Sequence, residues 1–176
     1  MSIETTLEET RPRLTDIDMS QVKPDNISDP MDLAGRIAER LVFEWLWEIE
    51  FDFLTGFPVQ TGVFRWEDTR NGVRVVERNN HRHEFDFVGT YEGAGYVIEV
   101  KSLKLNGISK KVDRALKYGR MLYGAEVKMI LFSPHYSNKQ RDTENIMRDY
   151  PEVLCIDSGY KRKQLRKACD RFYRGG

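Results

Sequence analysis

Apolar residues recur at helical spacing through Leu33, Ile37, Leu41, Trp45 and Ile49, with Ala34, Ala38, Val42, Leu46 and Phe53 widening the stripe. That pattern predicts an amphipathic core helix. Asp29 suits its cap, Pro30 its first helical position, and Asp32 adds negative charge to the first turn. Farther along the period changes to that of strands. Phe57 to Trp66 and Val73 to Arg78 read as two strands joined through Asp68-Thr69-Arg70-Asn71-Gly72, where Asn-Gly signals a turn. His83 to Gly89 and Tyr96 to Lys101 read as a second hairpin, through Tyr91-Glu92-Gly93-Ala94-Gly95. Ser109 is expected to cap a helix with Val112, Ala115, Leu116, Met121 and Leu122 inward and Lys110, Lys111, Arg114 and Lys117 outward. Val127 to Phe132 and Val153 to Ile156 are continuous apolar runs of the kind buried strands show, with a helix from about Asn138 to Arg148 between them. Tyr160 to Tyr173 carries Leu165, Ala168, Cys169 and Phe172 at helical spacing among basic residues. Alternating helices and strands predict an α/β fold with a mixed sheet flanked by helices.

Residues 1–28 are polar, acidic and aperiodic, which predicts a flexible or irregular arm before a single domain over 29–176 with a basic C-terminal helix. No apolar run is long enough to span a bilayer, and Met1-Ser2-Ile3-Glu4 is acidic where a secretory signal is basic and then apolar. A cytoplasmic, membrane-free protein is expected, with Cys155 and Cys169 as reduced thiols.

The candidate chemistry lies on the second hairpin. Side chains alternate along a strand, so Glu99 and Lys101 point one way while Ile98 and Val100 point into a core. Pairing of the two strands brings Asp86 towards Glu99. Two carboxylates held together beside an ammonium are unfavourable without a cation, and hard divalent ions prefer carboxylate oxygens together with water and phosphate. An acid-apolar-lysine triplet also arises on ordinary amphipathic strands, so the neighbouring acids carry the weight. At 100° per residue Glu39 falls just beyond the edge of the helical stripe, where it reaches both core rim and solvent. Glu44 and Glu48 lie on the opposite edge, with Glu44 as the fallback candidate; for each acid the alternative is a rim carboxylate paired with an arginine.

Asp86 followed by Glu99-Val100-Lys101 resembles the PD-(D/E)XK nuclease superfamily, which includes restriction endonucleases and archaeal Holliday-junction resolvases. Phe85 stands where the motif's name has proline, and the chemistry belongs to the acid that follows. Gly35 to Val42 is similar to the resolvase-like first helix, whose glutamate, here Glu39, completes the metal site. Lys110 to Tyr123 followed by Val127 to Phe132 is similar to the family's second helix and fourth strand, so the likeness runs from Pro30 to Pro134. The resemblance implies a restriction-endonuclease-like fold and DNA cleavage dependent on Mg2+ or Mn2+. Asp86, Glu99, the Val100 carbonyl and Glu39 would serve the metal, and Lys101 the attacking water. It further implies a homodimer acting on DNA, with branched junctions the favoured substrate. The alternatives are a sequence- or damage-directed endonuclease and a DNA-binding module that kept the fold but lost turnover.

Charge changes this picture in one respect. Lys and Arg balance Asp and Glu at 28 each, yet residues 1–53 hold 13 acids against 5 basic residues, and residues 101–128 hold 8 basic residues against 2 acids. Lys104, Lys110, Lys111, Arg114 and Lys117, and beyond them Lys161, Lys163, Arg166 and Lys167, are therefore the expected phosphate contacts. Solvated helix faces are the plainer reading of the same run. His81 and His83 share a strand face but have no partner at recognisable metal-ligand spacing, His135 follows a buried strand at a loop that could approach substrate, and no phosphate loop or dinucleotide fingerprint is present.

Overall fold

The computed structural model describes Ile3, Thr6 and residues 30–54, 59–69, 72–101, 107–132 and 140–156. Helix α1 (Pro30–Glu48) buries Ile37, Ala38, Leu41, Val42, Trp45 and Leu46, as its periodicity demands. Short strand β1 (Asp52–Phe53) follows, then β2 (Val59–Thr61), β3 (Phe64–Thr69), β4 (Gly72–Glu77), β5 (Asn80–Phe85), β6 (Phe87–Tyr91) and β7 (Ala94–Val100). Helix α2 (Ile108–Tyr123), β8 (Lys128–Phe132), helix α3 (Gln140–Asp149) and β9 (Val153–Ile156) complete the described elements.

The strands form two sheets, a five-stranded one ordered β1-β6-β7-β8-β9 and a four-stranded one ordered β2-β3-β4-β5. In the first, β1, β6 and β7 run antiparallel while β7, β8 and β9 run parallel, so the fold is mixed α/β. One face of this sheet, with Tyr96, Ile98, Ile130, Phe132 and Ile156, packs on α1. The other face, with Val97, Met129, Leu131, Val153 and Cys155, packs on α2 and α3. Burial on both faces explains why β8 is uninterruptedly apolar from Met129 to Phe132. Among the described residues no helix is long and apolar enough to cross a membrane.

Several expectations need correction. Phe57 to Trp66 is not one strand: Gly62 and Val63 form a turn between β2 and β3, with Gly62 at φ 61°. The hairpin expected there is part of a four-stranded antiparallel sheet whose Trp66 stacks on Phe85 at 5.8 Å and whose Phe64 meets Tyr118 edge-on at 5.8 Å. His83 to Gly89 is likewise divided. The chain bends at Asp86 and passes from the four-stranded sheet into the five-stranded one. Ser109 is not the cap of α2; Gly107, in the left-handed region at φ 70°, holds that position without a side-chain hydrogen bond. Of the acidic arm, Ile3 is buried in the α1 core and Thr6 hydrogen-bonds the Tyr91 hydroxyl at 2.8 Å, so these two residues belong to the packed domain.

Candidate metal-binding and catalytic site

The register of β6 and β7 builds the site. Phe87 faces Ile98 and Tyr91 faces Ala94 across a two-residue turn, Glu92-Gly93, in which both residues have positive φ (50° and 78°). This is the primed turn that suits the right-handed twist of a hairpin. One step before Phe87, the bend at Asp86 turns its carboxylate onto the opposite strand, where Oδ2 accepts the Val100 backbone N–H at 2.6 Å. Lys101 stands just past β7, its own N–H donating to the Phe132 carbonyl at 2.8 Å, so the parallel pairing with β8 fixes its backbone.

Glu99 is fully buried, on the face of β7 opposite Ile98. An ionised carboxylate in such a place requires partners, and it has one on each oxygen. Oε1 lies 2.9 Å from His83 Nε2, and Oε2 forms an ion pair with the Lys111 ammonium. His83 is itself buried, its ring edge-on to Phe85 at 4.4 Å and stacked with Tyr118 at 6.2 Å. Lys111 reaches in from the first turn of α2, and its side chain is within hydrogen-bond reach of Lys101.

The electrostatics follow from this crowding. Burial, then the charge of Glu99, pushes the Asp86 carboxyl up to about 8, against the Val100 hydrogen bond and the Lys111 charge, which pull it down. Burial, then Lys111, pulls the Lys101 amine below its ordinary value, although Glu99 and Asp86 oppose this. Burial alone would depress Lys111 as well, but Glu99, Asp86 and the contact with Lys101 carry it above its ordinary value. Glu39 joins the same network from α1. Burial lifts its carboxyl, Arg36 and Lys111 act against that, and Glu84 reinforces it.

The structure therefore brings Asp86, Glu99, Lys101 and Glu39 into one electrostatic cluster. The fallback Glu44 stands apart, ion-paired with Arg40 at 2.7 Å as a rim carboxylate. Lys111 departs from expectation, since it turns inward to Glu99, whereas Lys110, Arg114 and Lys117 are exposed. Lys104, His135, Lys161, Lys163, Arg166 and Lys167 lie outside the described residues. Sequence reasoning missed His83 and Lys111 as partners of Glu99, and a signal existed for each. Helical rows place Lys111 with the buried Ala115 and Tyr118 at i+4 and i+7. His83 shares an alternating face with the core residue Phe85, where a polar ring needs a partner.

Chemically, the cluster offers two adjoining carboxylates, a third within electrostatic range and an amine made easier to deprotonate. Among the described residues no three His, Cys, Asp or Glu side chains converge as a ready cation cage. Magnesium, however, is commonly held by one or two carboxylates with water and substrate phosphate completing the shell. The donor set is all oxygen, the acid pair is mutually repulsive, and a lysine supplies the positive charge that the pair requires. These residues fit a hard divalent ion.

No family model and no curated protein matches this chain. Among solved structures, the crystal structure of protein VC1899 from Vibrio cholerae is similar in fold, with a TM-score of 0.51 and 13% identity, covering 99% of this chain. The chain spans 44% of the length of that protein.

Proposed function

We propose that this domain is a restriction-endonuclease-like hydrolase of the PD-(D/E)XK type, cleaving phosphodiester bonds in DNA with Mg2+ or Mn2+. The observation that carries this reading is the meeting of Asp86, Glu99 and Lys101 at the bend between two sheets, with the Asp86 carboxyl pushed up to about 8. A purely structural ion pair does not require a second, repelled carboxylate beside it. Asp86 and Glu99 would hold the metal and Glu39 would complete its surroundings through water, with the Val100 carbonyl as the backbone ligand. When bound, the ion would polarise the phosphodiester and acidify water. Lys101, its amine depressed by burial and by Lys111, is suited to orient the attacking water or take up its proton.

Exposed Lys110, Arg114 and Lys117 on α2 would track the phosphate backbone; Lys104 and the basic C-terminal residues are further phosphate contacts expected from their charge. Holliday-junction resolution by a homodimer is the favoured subtype, because Gly35 to Val42 on α1 is where the resemblance to resolvases lies. A magnesium-containing panel of junction, flap, duplex and single-stranded DNA tests the reading. Preferential, symmetric cutting of junctions is expected. Cleavage of duplex alone would assign a sequence- or damage-directed enzyme, and binding without cleavage would assign a non-catalytic module.

A further inference from the structure

A metal ion approaching Glu99 meets two partners already there, His83 on one oxygen and the Lys111 ammonium on the other, and they are held very differently. His83 is wedged between Phe85 and Tyr118 and is 5% exposed; moving it would open the core that α2 shares with the four-stranded sheet. Lys111 hangs on a flexible stem at the first turn of α2, with its side chain 26% exposed and the Lys101 amine beside it. Only Lys111 can leave without dismantling packing. A divalent ion entering between Asp86 and Glu99 repels its ammonium, and the exposed face of α2, with Lys110 and Arg114, is the direction open to it.

We infer that Lys111 is a displaceable counter-ion: it closes the acid pair when the site holds no metal, and on metal entry it is released outward onto a phosphate of the nucleic-acid backbone. The inference rests on the proposed metal site. Its consequence is linkage, since a lysine freed by the metal strengthens polyanion binding and a polyanion that captures the lysine strengthens metal binding by the same factor.

Calorimetric titration of manganese into the full chain, wild type and Lys111→Met, tests this without turnover. Removal of the competing ammonium should tighten manganese binding in the variant by on the order of tenfold. An uncleavable phosphorothioate duplex should strengthen manganese binding in the wild type more than in the variant. Because Lys111→Met strands a buried carboxylate and puts folding at risk, a second measurement uses the wild type alone. Reductive methylation read by peptide mass spectrometry should find Lys111 protected without metal and reactive at saturating manganese, with exposed Lys110 reactive throughout. Manganese binding with Lys111 still protected, or a folded variant binding manganese no better than wild type, overturns the inference and leaves the proposed function standing. A wild type that takes up no manganese overturns both.

Discussion

Asp86 combines two demands that conflict in a metal-free protein. Its oxygen must accept the Val100 N–H, yet burial and then the charge of Glu99 disfavour its ionised form, and its carboxyl is pushed up to about 8 from an ordinary value of 3.8. A carboxyl whose affinity for protons rises on folding stabilises the fold fully below the lower value, and that contribution is lost as pH climbs through the upper one. The metal-free protein should therefore lose stability between about pH 4 and about pH 8 in part through this residue. Asp86→Asn keeps the oxygen for Val100 without the charge, so it should flatten that decline and melt higher than wild type at the alkaline end. Equal pH slopes in thermal melts of the two proteins would show that Asp86 is not under this stress. Strand alternation in the sequence put Glu99 and Lys101 on one side of β7 and hairpin pairing brought Asp86 near them, although Asp86 sits at a bend and not within a strand. His83 and Lys111 were less legible, because a buried polar partner is set by which elements pack together, and only their places on apolar rows hinted at it.

At the scale of elements, the site depends on where the chain changes sheets. The β6–β7 hairpin was legible because Glu92-Gly93 lies between alternating strands, and helices α1 and α2 and strand β8 were legible from their periods. The division of Phe57 to Trp66 and the bend at Asp86 were not, because each falls inside a segment whose composition remains that of a strand. The register of β4 against β5 also shifts by one residue between Val75 and Val76, so that Val75 faces the buried His83 and Val76 faces the exposed His81. Local alternation cannot announce such a shift. Close approach of β1 to β6 is what seats the hairpin carrying Asp86. At Gly89 an added Cβ would lie 2.2 Å from the Asp52 carbonyl oxygen and 2.5 Å from the Phe51 ring. Gly89→Ala should then cost about 1–3 kcal/mol in urea denaturation through overpacking. An unchanged midpoint would mean that β1 is not seated against β6 in this way.

For the whole molecule, zero net charge conceals a division of labour. The acidic α1 contributes Glu39, the basic α2 contributes Lys111 inward and Lys110, Arg114 and Lys117 outward, and the two sheets meet between them at Asp86. The overall α/β class was legible from alternating periods, while the presence of two separate sheets was not, since sheet membership is decided by pairing between distant strands. The proposed chemistry gives Asp86 and Lys101 different tasks, and that difference is measurable. Single-turnover cleavage with magnesium, alongside a DNA-binding titration, should find that Asp86→Asn abolishes cutting while DNA affinity holds or rises. Lys101→Ala should retain DNA binding and slow cutting by on the order of a hundredfold or more. A folded Lys101→Ala protein that cuts at the wild-type rate would contradict the assignment of Glu99-Val100-Lys101 as catalytic.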